Sequence, residues 1–549
     1  MNRSLLITFF FCVVFTLVSS NPYNTSRTFQ NAKRDIYHSF GFGQPTVIER
    51  ATSKRPSLEE YNKLRSQLVE NEESRGFGSK IKLNADEVLA NKIIMAAKTK
   101  EFEEGLQVPH LFSPSQHFFT VLEKIRDSEL FKLLEAMPKG GVLHAHDTAL
   151  CSTNYIVNLT YKGDLWVCID SDQDAKLFLF SKTKPANEKG CSWDLTSNVR
   201  EQQGAKKFDE YLRGRLSLYP TKKFDDVNAA WQEFVKIFGL LSGLLFYAPV
   251  WAEYYYQALT EFHADGVMYL EFRTTLPVLY DMDNTVYTNI DTARIYEKTL
   301  KSFKDANPDF IGSKLIYAPQ RKVKALNVKE YIATAIELKE KFPNFFAGFD
   351  LVGQEELGKP LIDFLPQLLQ IPDDINFYFH AGETNWFGAT TDENLVDAVL
   401  LGTKRIGHGF ALIKHPGVLE HLKENNIAVE VNPISNQVLQ LVTDLRNHPC
   451  SHLFADNYPV VISSDDPSFW RASPLSHDFY VAFLGIASAH ADLRLLKQLA
   501  INSIEYSALS VDEKEQAFAM WQVKWDKYID WVRNSAGSAG AAALTNNID

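Results

Sequence analysis

Short apolar runs alternating with amphipathic helical segments constrain the fold of this chain most strongly. Eight runs read as strands: Gly141 to His146, Gly266 to Thr275, Lys314 to Arg321, Phe345 to Gly353, Asn376 to Glu383, Arg405 to Phe410, Ile427 to Pro433 and Val460 to Asp465. Helical periodicity lies between most of them, as in Val328 to Phe342 and Leu395 to Leu401. This alternation predicts an α/β fold in which eight parallel strands close into a (β/α)8 TIM-type barrel. A doubly wound open sheet is the alternative, but no Gly-rich phosphate loop follows the first run.

The chemistry gathers at the C-terminal strand ends, where barrel enzymes build their sites. His144 and His146 are two apart on a strand, so both imidazoles share a face. A later aromatic run enters His380-Ala381-Gly382-Glu383, His408 sits between two glycines, and a buried-type run ends in Asp465-Asp466. His144, His146, His380 and Asp465 form an N/O ligand set suited to Zn²⁺, with Fe²⁺ or Mn²⁺ as alternatives. No Cys belongs to the set, which argues against a structural zinc knot. With a position left open, such a cation brings the pKa of water to about 7. His408 is then a base or electrostatic partner for that water, or a fifth ligand. Glu383 is a proton donor to the substrate, or it orients a ligand. Asp466 directly follows Asp465, points elsewhere, and is free to bind substrate.

At 549 residues the chain exceeds one compact core. Its composition, 45% hydrophobic and 23% charged, is that of a globular protein. A net charge of -11 and a pI near 5.8 argue against a general nucleic-acid binder. Arg3, the apolar stretch Leu5 to Val18 and the small pair Ser19-Ser20 predict a secretory signal peptide over residues 1–20. That stretch is shorter than the roughly 20 residues that span a bilayer, and no second one qualifies. Secretion makes the cysteines legible. Cys12 leaves with the signal, and Cys151, Cys168, Cys191 and Cys450 allow three full pairings. Cys168 and Cys191 bracket a polar, Lys-rich segment, which suggests a local bridge; Cys151 and Cys450 read as buried thiols. Asn24 and Asn158 head glycosylation sequons.

Residues 21–110 read as a charged helical extension, with a capping box from Ser57 to Glu60 ahead of Tyr61, Leu64 and Leu68. Val88, Leu89, Ile93, Ala96 and Ala97 form a second apolar face there. The extension has little core of its own and is expected to pack on the main domain or on another subunit. Residues 111–534 hold the barrel. About 120 residues separate its first two strands, far beyond a simple crossover. Residues 161–220 within that interval read as an inserted subdomain, too polar to build its own core. Phe518, Trp521, Trp525, Tyr528 and Val532 form a helical core stripe, and residues 535–549 are expected to be a disordered tail.

Assembled, these motifs resemble the adenosine deaminase superfamily of metal-dependent hydrolases, and within it the secreted adenosine deaminase-related growth factors of the adenosine deaminase 2 type. The similarity covers about residues 115 to 532. It rests on Met137-Pro138-Lys139-Gly140 before His144-Ala145-His146, on Gly348-Phe349-Asp350-Leu351-Val352-Gly353, and on His380-Ala381-Gly382-Glu383-Thr384. It continues through Arg405-Ile406-Gly407-His408-Gly409-Phe410-Ala411-Leu412, Asn432-Pro433-Ile434-Ser435-Asn436-Gln437-Val438-Leu439 and Ser463-Ser464-Asp465-Asp466-Pro467. The resemblance implies conversion of adenosine to inosine and ammonia, with 2'-deoxyadenosine as second substrate. It implies one zinc on His144, His146, His380 and Asp465, a proton from Glu383 to purine N1, and water activation by His408. It further implies contacts of Asp466 with N7, of the Gly353 backbone with N3, and of Asp147 and Trp231 near the ribose. The same likeness implies a homodimer through the N-terminal extension, and an insertion that meets a cell-surface receptor or glycosaminoglycan.

One departure is Tyr317-Ala318-Pro319-Gln320-Arg321, where relatives of the vertebrate type carry a substrate-contacting His. Gln320 can hydrogen-bond a ribose hydroxyl but does not titrate near neutral pH. A signalling protein whose growth-factor effect is independent of catalysis is the alternative function, and the intact ligand and acid set favours an enzyme. The chain shows no evident phosphate loop for an AMP deaminase, and it lacks the Pro-Cys-x-x-Cys motif of nucleic-acid base deaminases.

Overall fold

The computed structural model describes residues 55–543 apart from Asn187 and Lys222. Eight parallel strands follow one another around a closed ring. They are β1 (Gly140–Val142), β2 (Val267–Thr274), β3 (Gly312–Tyr317), β4 (Phe346–Phe349), β5 in two stretches (Asn376–Phe377 and His380–Ala381), β6 (Arg405–His408), β7 (Ala428–Val431) and β8 (Val460–Ile462). Each pairs in parallel with the next, for example Tyr269 with Gly312 and Val429 with Val460. Closure comes beyond the ends of β1 and β8. Ala145 bridges Asp465, His146 N–H donates to the Asp465 carbonyl at 3.0 Å, and Asp465 N–H donates to the His144 carbonyl at 3.1 Å. The expected barrel is therefore present, and its closing seam runs through three of the expected ligands. Every residue of β2 is buried, as a strand enclosed on both faces requires.

Residues from Glu73 onward form one compact unit. Within it, the helix Ala85–Gln107 packs on the helix Val511–Ala543. It buries Ala90, Ile94 and Ala97, whereas Val88 and Leu89 of the expected apolar face stay exposed. A polar contact sets this rotation: buried Glu87 accepts from Lys497 Nζ at 2.5 Å and from Trp525 Nε1 at 2.7 Å. Trp521, Trp525, Tyr528 and Val532 are core, as their spacing predicts. The helix Leu58–Arg75, considered by itself, buries none of its residues. The helix Val511–Ala543 runs into the segment expected to be a disordered tail from residue 535. Residues 544–549, the signal segment 1–20 and Asn24 lie outside the described residues. Asn158 is exposed.

The insertion carries a three-stranded antiparallel sheet, with Leu165–Asp170 between Ala175–Phe180 and Cys191–Leu195. Cys168 and Cys191 are disulfide-bonded, with Cα atoms 5.4 Å apart, while Cys151 and Cys450 are buried free thiols. This segment, expected to be too polar to build a core of its own, shares one with a helix outside it. Leu165, Val167, Phe178 and Phe180 are buried, because alternating side chains put that sheet face against the helix Val227–Leu245. A Cβ at Gly243 of that helix would overlap the Phe178 carbonyl, so glycine permits the close approach. The helix then presents its other residues to the barrel mouth.

The bridge closes a loop with a sequence separation of 23, for which chain entropy gives about 3 kcal/mol. The double variant Cys168→Ser/Cys191→Ser is expected to lose about that much stability in denaturant unfolding and to gain protease cleavage in residues 161–220. Equal unfolding midpoints would show that the sheet's own core carries the segment.

A candidate metal centre and its cavity

Every expected site residue except His144 lines one cavity of about 290 Å³ at the C-terminal strand ends. These are His146, Asp147, Trp231, Gln320, Gly353, His380, Glu383, His408, Asp465 and Asp466. Phe234, Phe238 and Phe246 add an aromatic wall. His144 is fully buried, and its ligand atom lies within 4.8 Å of those of His380, His408 and Asp465. His146 groups separately with Asp465 and Asp466. Thus the tighter cluster holds His408 in place of His146. Ring centroids put His144 4.5 Å from His380 and 4.8 Å from His408, but 5.5 Å from His146. His146 Nε2 still reaches Asp465 Oδ1 at 3.0 Å.

Two residues that shape the centre sit in the left-handed region without being glycine: His408 at φ 61° and Asp465 at φ 59°. Such strain is retained where the surroundings over-determine it. Here it turns both side chains inward just past the strand ends.

Buried carboxylates fix the imidazoles. His144 Nδ1 donates to Glu430 Oε2 at 2.8 Å and His380 Nδ1 donates to Asp350 Oδ2 at 2.6 Å. A neutral imidazole that donates through Nδ1 keeps its lone pair on Nε2. His144 Nε2 and Asp465 Oδ1 are both buried without a hydrogen-bond partner. Converging lone pairs without a donor are what a divalent cation satisfies, so the donor set fits the expected metal. Burial raises the Asp350 and Glu430 carboxyls, but their partners outweigh it, His380 and Arg273 for Asp350 and Arg273 and Arg405 for Glu430. Both end below the usual range. Burial pushes His380 down to about 3 against the pull of Asp350.

Arg273 joins the two carboxylates. Its Nε donates to Asp350 at 2.9 Å and its Nη2 to Glu430 at 2.7 Å. Arg405 continues the lattice to Glu430 at 2.5 Å and to Glu271 at 2.6 Å. All five side chains are essentially inaccessible. The sequence reading assigned no role to any of them. The available signal was a charge inside an otherwise apolar strand, as in Ala428-Val429-Glu430-Val431.

Further buried carboxyls lie beside this centre. Burial, then the nearby Asp465 charge, drives the Glu383 carboxyl well above its usual value, and Asp466 is raised by the same two causes. Glu355 clamps the backbone that carries Glu383 by accepting from Gly382 N–H at 3.2 Å and Glu383 N–H at 3.3 Å. Asp147 accepts from Tyr296 Oη at 2.9 Å, and burial raises it to about 6. Ser435 Oγ, also unforeseen, donates to Asp465 Oδ2 at 2.7 Å.

A (β/α)8 barrel with a buried His/Asp group of metal-binding geometry at its C-terminal mouth defines the class as barrel hydrolases of the metal-dependent kind. The chain belongs to the adenosine deaminase family, within which it is of the adenosine deaminase 2 type. Residues 216–520 match adenosine deaminase, and residues 9–134 match the adenosine/AMP deaminase N-terminal region. It is 56% identical to an adenosine deaminase of Lutzomyia longipalpis over 86% of this chain and 94% of that one. It is 40% identical to human adenosine deaminase 2 over 85% of this chain and 92% of that one. Among solved structures, the N6-methyl-AMP deaminase of Arabidopsis thaliana shares the fold, with a TM-score of 0.52 at 18% identity over 72% of this chain and 98% of that one.

Replacing Arg273 with Met leaves two buried carboxylates without their shared cation. Denaturant unfolding is expected to show a loss of about 3–5 kcal/mol. Because Asp350 and Glu430 titrate lower when folded, their contribution is fully present above the unfolded carboxyl pKa of about 4 and is lost as pH falls below it. Unfolding midpoints measured between pH 3 and 7 are expected to drop at the acid end. A flat profile would deny the lattice that role.

Proposed function

We propose that this chain is a secreted, zinc-dependent adenosine deaminase that converts adenosine to inosine and ammonia, with 2'-deoxyadenosine as second substrate. The observation that carries this is the meeting of unpartnered buried ligand atoms on His144 and Asp465 with the raised carboxyl of Glu383 around one aromatic-walled cavity. The names borne by the relatives support the substrate. No described helix is long and apolar enough to cross a membrane, which accords with a secreted chain.

His144, His146, His380 and Asp465 hold one zinc ion in this proposal. When bound, zinc supplies the Lewis acidity that makes water nucleophilic near neutral pH. Glu383, kept protonated by burial, delivers its proton to purine N1, so the ring accepts addition at C6. Asp466, likewise protonated, donates to N7, and the Gly353 N–H donates to N3. Asp147, steadied by Tyr296, accepts from the ribose, Gln320 meets a ribose hydroxyl at the exposed rim, and Trp231 walls the sugar. His408 assists the water.

The remaining parts of the proposal concern assembly. Leu58, Tyr61, Leu64 and Leu68 are exposed on an unburied helix, which suits residues 21–110 as a dimerisation extension of the barrel unit 111–534. Residues 161–220 would present a receptor- or glycosaminoglycan-binding module, with growth-factor activity as its readout.

The test uses protein purified from culture medium. Adenosine loss, followed by ultraviolet absorbance, is expected to be abolished by a chelator and restored by zinc. Full activity after verified metal removal would refute the zinc requirement. Glu383→Gln is expected to lower kcat by about 10²- to 10⁴-fold with zinc content retained. A Gln variant that loses its metal instead would make Glu383 a structural residue.

A further inference from the structure

We propose that Asn436 and His448 are positioning residues that hold His408 as its Nε2–H tautomer, so that it meets the reaction centre as a hydrogen-bond donor, not as a base or a metal ligand. The proposal deepens the deaminase reading above and rests on it.

Cys450 N–H donates to His448 Nδ1 at 3.1 Å. A backbone N–H cannot accept, so His448 Nδ1 carries a lone pair. His448 is 2% exposed, and burial pushes its imidazole down to about 3, so the ring is neutral with its proton on Nε2. That nitrogen faces Asn436 Oδ1 at 2.9 Å and donates to it. An amide that accepts through its oxygen on one side offers its NH₂ on the other. Asn436 Nδ2 lies 3.3 Å from His408 Nδ1, which therefore accepts.

The single proton of a neutral His408 is left on Nε2. That nitrogen is the one facing the centre, 3.8 Å from Asp465 Oδ2. The other neighbour of Nδ1, Glu383 Oε1, lies farther off at 3.5 Å, and burial with the nearby Asp465 charge raises its carboxyl, which weakens it as a competing acceptor. A ring nitrogen that bears hydrogen has no lone pair for a cation or a proton. His408 therefore drops out of the tight four-residue cluster, and His146 takes the third imidazole place. Facing the attacking water, His408 orients it by donation. The relay is buried end to end: Asn436 is inaccessible, and His448 packs edge-on against Phe410 at 5.4 Å.

Neutron diffraction from deuterium-exchanged crystals of the full chain reads the proposal without turnover, so a protein inactive on adenosine still tests it. Deuterium is expected on Nε2 of both His408 and His448. Deuterium on His408 Nδ1 overturns the proposal. The second arm is Asn436→Asp, whose carboxylate can only accept and so draws the proton of His408 to Nδ1. It is expected to lower kcat by about 10-fold or more with KM within about 2-fold. Unchanged kcat in a folded Asn436→Asp enzyme also overturns it.

Discussion

The sharing of Arg273 between Asp350 and Glu430 is the interaction on which the rest of the site depends. Each carboxylate also accepts a hydrogen bond from one imidazole, Asp350 from His380 and Glu430 from His144. Rotating either ring would leave a buried charge short of a partner, which is more costly than the pair is stabilising. The arrangement extends through Arg405 to Glu271, which also accepts from Tyr269 Oη at 2.9 Å and from Ala508 N–H at 2.6 Å. A barrel interior is ordinarily filled by branched apolar side chains. Here a charged lattice occupies part of it, and the geometry of the ligands is set from within the protein.

The two halves of the site are built differently. The side that bears the candidate ligands stands on strand ends and on the seam that closes the barrel, so its atoms are tied to backbone pairing. The opposite cavity wall includes Trp231, Phe234 and Phe238 on the helix Val227–Leu245, which packs against the disulfide-bonded sheet of the insertion. The insertion therefore contributes indirectly to the cavity wall, in addition to whatever surface it presents outward. A division into a catalytic barrel and an independent outer module is too sharp for this chain.

Charge state separates the carboxyls of the site by environment. Asp350 and Glu430 touch guanidinium or imidazole groups and titrate below the usual range, while burial and the neighbouring Asp465 push Glu383 and Asp466 well above it. Pairs of acids pushed apart in this way can serve orientation and proton donation within a few ångströms.

By itself the sequence determined the eight strands, their order and the ends that carry chemistry, because strand alternation and ligand spacing are local properties. It suggested a Cys168–Cys191 bridge among three open pairings, which the structure made definite. It was also enough for Trp521 and Trp525, whose helical period marks a buried stripe. Tertiary structure alone decided which face of the helix Ala85–Gln107 is buried, since a buried Glu87 and its partners more than 400 residues away outweighed the apolar pattern. It alone gave the insertion a core, by supplying a helix for its sheet to cover. It alone brought Asp350, Glu430 and Arg273 together, and linked Cys450 through His448 and Asn436 to His408. Such contacts join residues on different strands and loops, and a hydrogen bond across a barrel leaves no periodicity in the chain that makes it.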